Sequence, residues 1–135
     1  MALNVLVVDD SSVMRSIVIR TLRMSGLQLN EIHQAENGRQ ALEELGNHWI
    51  DLILVDLNMP VMNGIEMIES VRQTAELADL PIIVVSTESS TTRIDMLMQK
   101  GALFVHKPFS AETLREAVIK LTGVSSNEPP SDSSF

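Results

Sequence analysis

Five short apolar runs punctuate the chain, at residues 5–8, 32–35, 52–55, 82–85 and 103–105. Three of them, Val-Leu-Val-Val, Leu-Ile-Leu-Val and Ile-Ile-Val-Val, are four residues long and apolar at every position instead of alternating. Continuous runs of this kind predict strands buried on both faces, as in a parallel sheet covered by helices. Between the runs, apolar residues recur at helical spacing. Met14, Ile17, Val18, Thr21 and Leu22 form one stripe, Ala41, Leu42 and Leu45 a second, and Ile65, Ile68 and Val71 a third. Ile94, Leu97 and Met98 precede a helix stop at Gly101, and Leu114, Val118 and Leu121 precede Gly123. The order is a strand–helix unit repeated five times. Right-handed crossovers then predict an α/β fold with a doubly wound parallel sheet and helices on both faces.

Composition narrows the picture. A chain of 135 residues suits one domain and can bury roughly two-thirds of its unfolded surface. The expected division is a domain over 1–123 and a flexible Ser/Pro-rich tail over 124–135. The absence of cysteine excludes a disulfide framework and any thiolate nucleophile, and fits a cytoplasmic location. No stretch approaches the ~20 apolar residues that span a bilayer, and the amino terminus lacks the basic and apolar regions of a signal peptide. The net charge of −8 argues against nucleic-acid and anionic-membrane partners. No membrane insertion is expected, and a monomer is.

In open parallel sheets, ligands bind at the carboxyl ends of the strands. The residues that follow each run therefore test for function. Asp9 and Asp10 follow the first, Asp56 and Asn58 the third, Ser86 and Glu88 the fourth, and Lys107-Pro108 the fifth. Each has an ordinary reading. Asp9-Asp10-Ser-Ser can cap a helix, Asp56 can open an Asx-turn, and Asn63-Gly64 is a common turn dipeptide. Ser86 can cap the fourth helix, and Lys107 can be a solvated strand-end lysine. Together they make more sense as chemistry. Three neighbouring carboxylates raise one another's pKa, and a hard divalent cation relieves that conflict with oxygen ligands. Asp9, Asp10, Asp56 and the backbone carbonyl of Asn58 can supply them, to Mg²⁺ or Mn²⁺. A carboxylate can attack phosphorus, while a metal, Lys107 and the Ser86 hydroxyl meet the charge on the transferring oxygens.

These pieces, Val-Val-Asp9-Asp10-Ser, Val-Asp56-Leu-Asn-Met-Pro60, Val-Val-Ser86-Thr-Glu and Lys107-Pro108-Phe109, resemble the receiver domain of two-component response regulators. The similarity runs from about Asn4 to Leu121. The resemblance implies a flavodoxin-like sheet in strand order 2-1-3-4-5. It implies that Asp56 is the phosphoacceptor, that Asp9 and Asp10 hold the metal, and that Ser86 and Lys107 bind the phosphoryl group. It also implies that Ser86 and Phe104 act as the switch, and that Lys107-Pro108 is cis. The partners implied are a histidine kinase or histidine phosphotransfer protein and a downstream protein target. That target would bind the face formed by the fourth helix, fifth strand and fifth helix. Asn58 and Glu88, at the mouth of the crevice, are expected to tune dephosphorylation. They imply a phosphate lifetime on the order of seconds to minutes, a barrier of roughly 18–20 kcal/mol.

Departures from the family pattern are Ser86 for the commoner Thr, Asn63 for Asp before Gly64, and His106 before Lys107. His33 and His48 form no metal-ligand spacing with His106. The expected function is a stand-alone phosphorylation switch that catalyses only its own phosphorylation and dephosphorylation. Sequence does not separate a chemotaxis role from a phosphorelay carrier or phosphate sink. A haloacid-dehalogenase-type phosphatase is disfavoured, because it needs an Asp two residues after its nucleophile. Ser11 and Asn58 stand there.

Overall fold

The computed structural model describes residues 2–57, 59, 61–87 and 90–123. The strands are β1 (Leu3–Val8), β2 (Leu29–Ala35), β3 (Leu52–Val55), β4 (Ile82–Ser86) and β5 (Leu103–His106). They alternate with α1 (Ser12–Met24), α2 (Gly38–Asn47), α3 (Gly64–Gln73), α4 (Thr91–Gln99) and α5 (Ala111–Thr122). All strand pairs are parallel, in the order β2-β1-β3-β4-β5. The three four-residue apolar runs thus occupy the three central strands. The mixed run at 32–35 and the three-residue run at 103–105 lie at the edges, where one side is open to water.

Side-chain alternation along the strands divides the core in two. Leu6, Val8, Ile53, Val55, Ile82 and Val84 pack beneath Ala41, Leu45, Met67, Ile68, Val71 and Leu97 from α2, α3 and α4. Val5, Val7, Leu52, Leu54, Ile83 and Val85 pack beneath Val18, Leu22, Leu114 and Val118 from α1 and α5. Fully burying each such side chain contributes about 1.5–3 kcal/mol, so the sheet holds its strand ends in place without a ligand.

Each helix opens on a side-chain cap that turns the chain away from a strand end. The Ser11 Oγ accepts from Met14 N (3.2 Å), the Asn37 Oδ1 from Gln40 N (2.8 Å), and the Ser110 Oγ from Thr113 N (3.0 Å). Ser90 caps α4, and Asn63 forms a capping box with Glu66 at α3. Gly101 and Gly123 follow α4 and α5 with φ of 82° and 74°, where a side chain would be strained.

Two predicted features shift. Strand β2 begins at Leu29, earlier than its apolar run, because the polar residues Asn30 and Glu31 lie on an edge. There the Asn4 side chain accepts from Asn30 Nδ2 (2.9 Å) and Glu31 N (3.2 Å) across an irregular register. The stripes on α1 and α4 also rotate. Ile17 and Met98, expected in the core, are 43% and 51% exposed, while Val18, Leu22 and Leu97 carry the contacts. On α3, Met67 is buried beside Ile68 and Val71. No described helix is long and apolar enough to cross a membrane. The tail over 124–135 lies outside the described residues.

Candidate functional site: an acidic cluster at the strand ends

Asp9 and Asp56 are each fixed by the neighbouring strand. Asp9 N donates to Ala35 O (3.1 Å) and Asp56 N to Val8 O (3.0 Å), extending the ladder by one residue past β1 and β3. Both side chains therefore emerge at the same edge. One carboxylate oxygen each from Asp9, Asp10 and Asp56 lies within 4.8 Å of the others. Asp9 is buried and Asp10 is exposed. The Lys107 Nζ sits 3.6 Å from Asp9 Oδ2 and 3.6 Å from Asp56 Oδ1. Its backbone N donates to Ser86 O (2.9 Å), which joins the ends of β4 and β5. The peptide bond between Lys107 and Pro108 is cis, as expected.

This geometry decides most of the ordinary readings. Ser11, rather than either aspartate, caps α1, and Asp9 Oδ1 accepts from Ser11 N (2.9 Å). Ser90 caps α4, leaving Ser86 fully buried at the end of β4. Lys107 is only 17% exposed at its side chain and is not a freely solvated lysine. Asn58 and Glu88 lie outside the described residues.

Burial drives the electrostatics. Desolvation pushes the Asp9 carboxyl above its ordinary range. The Asp56 charge and the Asp10 contact add to the rise, and the Ser11 N–H and Lys107 oppose it. Asp56 is likewise raised, first by burial and then by Asp10, against Lys107 and the Leu57 N–H. One lysine does not balance three carboxylates. Hard oxygen donors that are under-neutralised in this way suit a divalent cation.

Several positioning contacts carried no signal in the sequence. The Arg15 Nη1 donates to the Asp9 carbonyl at 2.6 Å, and its Nε to Gln34 Oε1 at 2.9 Å, tying α1 and β2 to the acidic loop. A Cβ on Gly64 would stand 2.6 Å from Asp56 O and 2.9 Å from Leu57 Cα. The Asn63-Gly64 pair is therefore a helix cap followed by a close backbone approach, rather than a free turn. Val61 takes a φ of 68°, which a β-branched residue rarely adopts. Beside the site, Met14, Ile17, Thr87, Lys107, Pro108 and Phe109 line an apolar groove of about 350 Å³. On the opposite face of β5, the Phe104 and His106 rings meet edge to face, with centroids 4.6 Å apart. Strand alternation places residues 104 and 106 on that one side.

Comparison with known proteins follows the same lines. The response regulator receiver domain family matches residues 5–119. A chemotaxis protein CheY homolog of Campylobacter jejuni is 35% identical over 128 residues, which is 93% of this chain and 97% of that protein. Chemotaxis protein CheY4 of Vibrio cholerae, crystallised at low pH, aligns with a TM-score of 0.79 and 34% identity. The alignment covers 90% of this chain and 99% of that one. The CheX-CheY-BeF3-Mg+2 complex from Borrelia burgdorferi aligns with a TM-score of 0.78 and 26% identity over 87% of each chain. A match that runs through all five strands, with relatives covered over nearly their full length, leads to one conclusion: this chain belongs to the response regulator receiver domain family.

Proposed function

We propose that the chain is a phosphorylation switch in which Asp56 accepts a phosphoryl group from a phosphohistidine donor. The observation that carries this reading is the convergence of Asp9, Asp10 and Asp56, with Lys107 3.6 Å from two of them. In the transfer, an Asp56 carboxylate oxygen bonds to phosphorus as the donor's N–P bond breaks. The freed imidazole nitrogen then takes a proton from solvent. Asp9, Asp10, Asp56 and the Asn58 carbonyl are the oxygen donors that would hold Mg²⁺ or Mn²⁺. When bound, the cation supplies positive charge against the transferring oxygens. Lys107 orients Asp56 beforehand and pairs with the phosphoryl group afterwards. The Borrelia neighbour, whose complex contains Mg²⁺ and the phosphoryl mimic BeF3, supports this assignment.

The switch reading follows from the same strand ends. Ser86 lies opposite His106 in the β4–β5 register, and His106 touches Phe104. A Ser86 hydroxyl drawn to the phosphoryl group shifts the end of β4, and Phe104 relays that shift to the face formed by α4, β5 and α5. Met96 and Met98 are exposed on α4 and give a protein target apolar contact. The chemotaxis relatives make a chemotaxis target the first to test. The roles of Asn58 and Glu88 in setting the phosphate lifetime rest on residue type and position in the chain.

The test is incubation with acetyl phosphate. With Mg²⁺ the wild type gains one phosphoryl group, and Asp56→Asn gains none. EDTA stops the reaction while the far-ultraviolet circular dichroism stays unchanged, because the core is complete without metal. Equal incorporation by Asp56→Asn would contradict the proposal.

A further inference from the structure

We propose that His33, Glu44 and His48 form a second metal site, selective for a borderline transition-metal ion of the zinc(II) class and separate from the acidic cluster. His33 projects from the edge strand β2, Glu44 from the last turns of α2, and His48 from the residue that ends that helix. The Glu44 Oε1 lies 3.8 Å from His33 Nδ1 and 3.6 Å from His48 Nε2. One ligand atom from each of the three residues falls within 4.8 Å of the others. Ligands about 2.0–2.1 Å from a tetrahedral zinc ion stand about 3.3–3.4 Å apart, so rotation of these side chains is what closes the site.

The surroundings favour coordination over a simple ion-pair cluster. His33 Nε2 is 3.0 Å from Glu31 Oε1. A carboxylate there can accept from Nε2, and Nδ1 is the ring nitrogen on the Glu44 side. A histidine ligand held by a carboxylate on its other nitrogen is the usual outer-shell arrangement at metal sites. The two imidazole rings are stacked, with centroids 4.0 Å apart and planes 23° from parallel. The lone pair of each ligating nitrogen lies in its ring plane, so one ring turns out of the stack when both bind a single ion. The backbone also prepares the site, because His48 N donates to Glu44 O (3.0 Å) as the helix cap. The side chains of His33, Glu44 and His48 are 18%, 27% and 40% exposed, so an ion reaches them and a water can fill the fourth position.

The two sites differ in chemistry. Mg²⁺ takes oxygen ligands and has little use for imidazole, while two nitrogens and one carboxylate suit Zn²⁺, Co²⁺ or Ni²⁺. An ion there would pin α2 to the edge strand, independently of phosphorylation at Asp56.

The experiment uses the full chain with excess Mg²⁺ to occupy the acidic cluster. Co²⁺ is titrated by visible absorption and Zn²⁺ by calorimetry. One equivalent should bind in the micromolar range, with the intense visible bands of nitrogen-ligated, near-tetrahedral Co²⁺. His33→Ala and His48→Ala should each weaken binding at least tenfold, and Glu44→Gln should also weaken it. Asp10→Asn should leave it unchanged. The conservative His48→Gln serves as a second variant, and circular dichroism verifies the fold of each. Wild-type affinity no better than millimolar would overturn the proposal. So would binding that persists in the double histidine variant, or that is lost in Asp10→Asn but kept in the histidine variants.

Discussion

The buried Asp56 carboxylate destabilises the fold while its charge is only partly met by Lys107. Burial raises both Asp9 and Asp56, so the folded state binds protons more tightly than the unfolded chain. Each contribution is fully present below the ordinary carboxylate pKa and is lost as pH rises through the raised value. Without metal, Asp56→Asn should therefore match the wild type in acid and exceed it at neutral pH. The expected gain is a higher Tm that grows as pH rises through the raised carboxyl range. Saturating Mg²⁺ should narrow the gap. Melting curves across pH check this, and a variant less stable than wild type at pH 7 would contradict it. Gly64 gives a second test. A Cβ only 2.6 Å from the Asp56 carbonyl must displace the loop at residues 56 and 57. Gly64→Ala should cost about 1–3 kcal/mol and slow phosphorylation by acetyl phosphate several-fold, read by denaturant melts and initial rates. Residue types were legible here, and close approaches were not. The acids, Ser86 and Lys107 stand at strand ends in the sequence. The fit of Gly64 against residue 56, and of Arg15 against the Asp9 carbonyl, depends on distances that no local pattern encodes.

The elements were most legible where burial is complete. The runs at 5–8, 52–55 and 82–85 are apolar throughout because β1, β3 and β4 have helices on both faces. Edge strands carry mixed signals, and the apolar run missed the first three residues of β2, two of which, Asn30 and Glu31, are polar and bond to Asn4. Helix stripes proved ambiguous by one position, because an apolar residue at the border of a stripe can serve the surface. Ile17 is such a residue, and it lines the groove beside Lys107. Its exposure separates the two kinds of phosphodonor. Ile17→Glu should leave stability within about 0.5 kcal/mol and leave the acetyl phosphate rate unchanged. It should lower transfer from a phosphohistidine protein that must dock beside the site. Parallel rate measurements with the two donors check this, and an equal effect on both would refute a docking role. Glu44 and His48 are a helix-compatible i, i+4 pair visible in the sequence. Their meeting with His33 became visible only once β2 lay beside α2.

At the scale of the whole molecule, sheet order does the assembling. Placing β1 and β3 side by side brings residues 9, 10 and 56 together, and adding β4 and β5 delivers Ser86 and Lys107 to the same edge. Acids 46 residues apart in sequence (from Asp10 to Asp56) thus become neighbours because two short strands pair in register. The central claim is that this edge forms an acyl phosphate at one carboxylate. Borohydride reduces an acyl phosphate to an alcohol, so a phosphorylated aspartate is recorded as homoserine. The protein should be treated with acetyl phosphate and Mg²⁺, reduced with borohydride, digested, and sequenced by mass spectrometry. The account predicts homoserine at position 56, and none in a parallel sample treated with EDTA. Homoserine at position 9 or 10, or at position 56 regardless of metal, would contradict it.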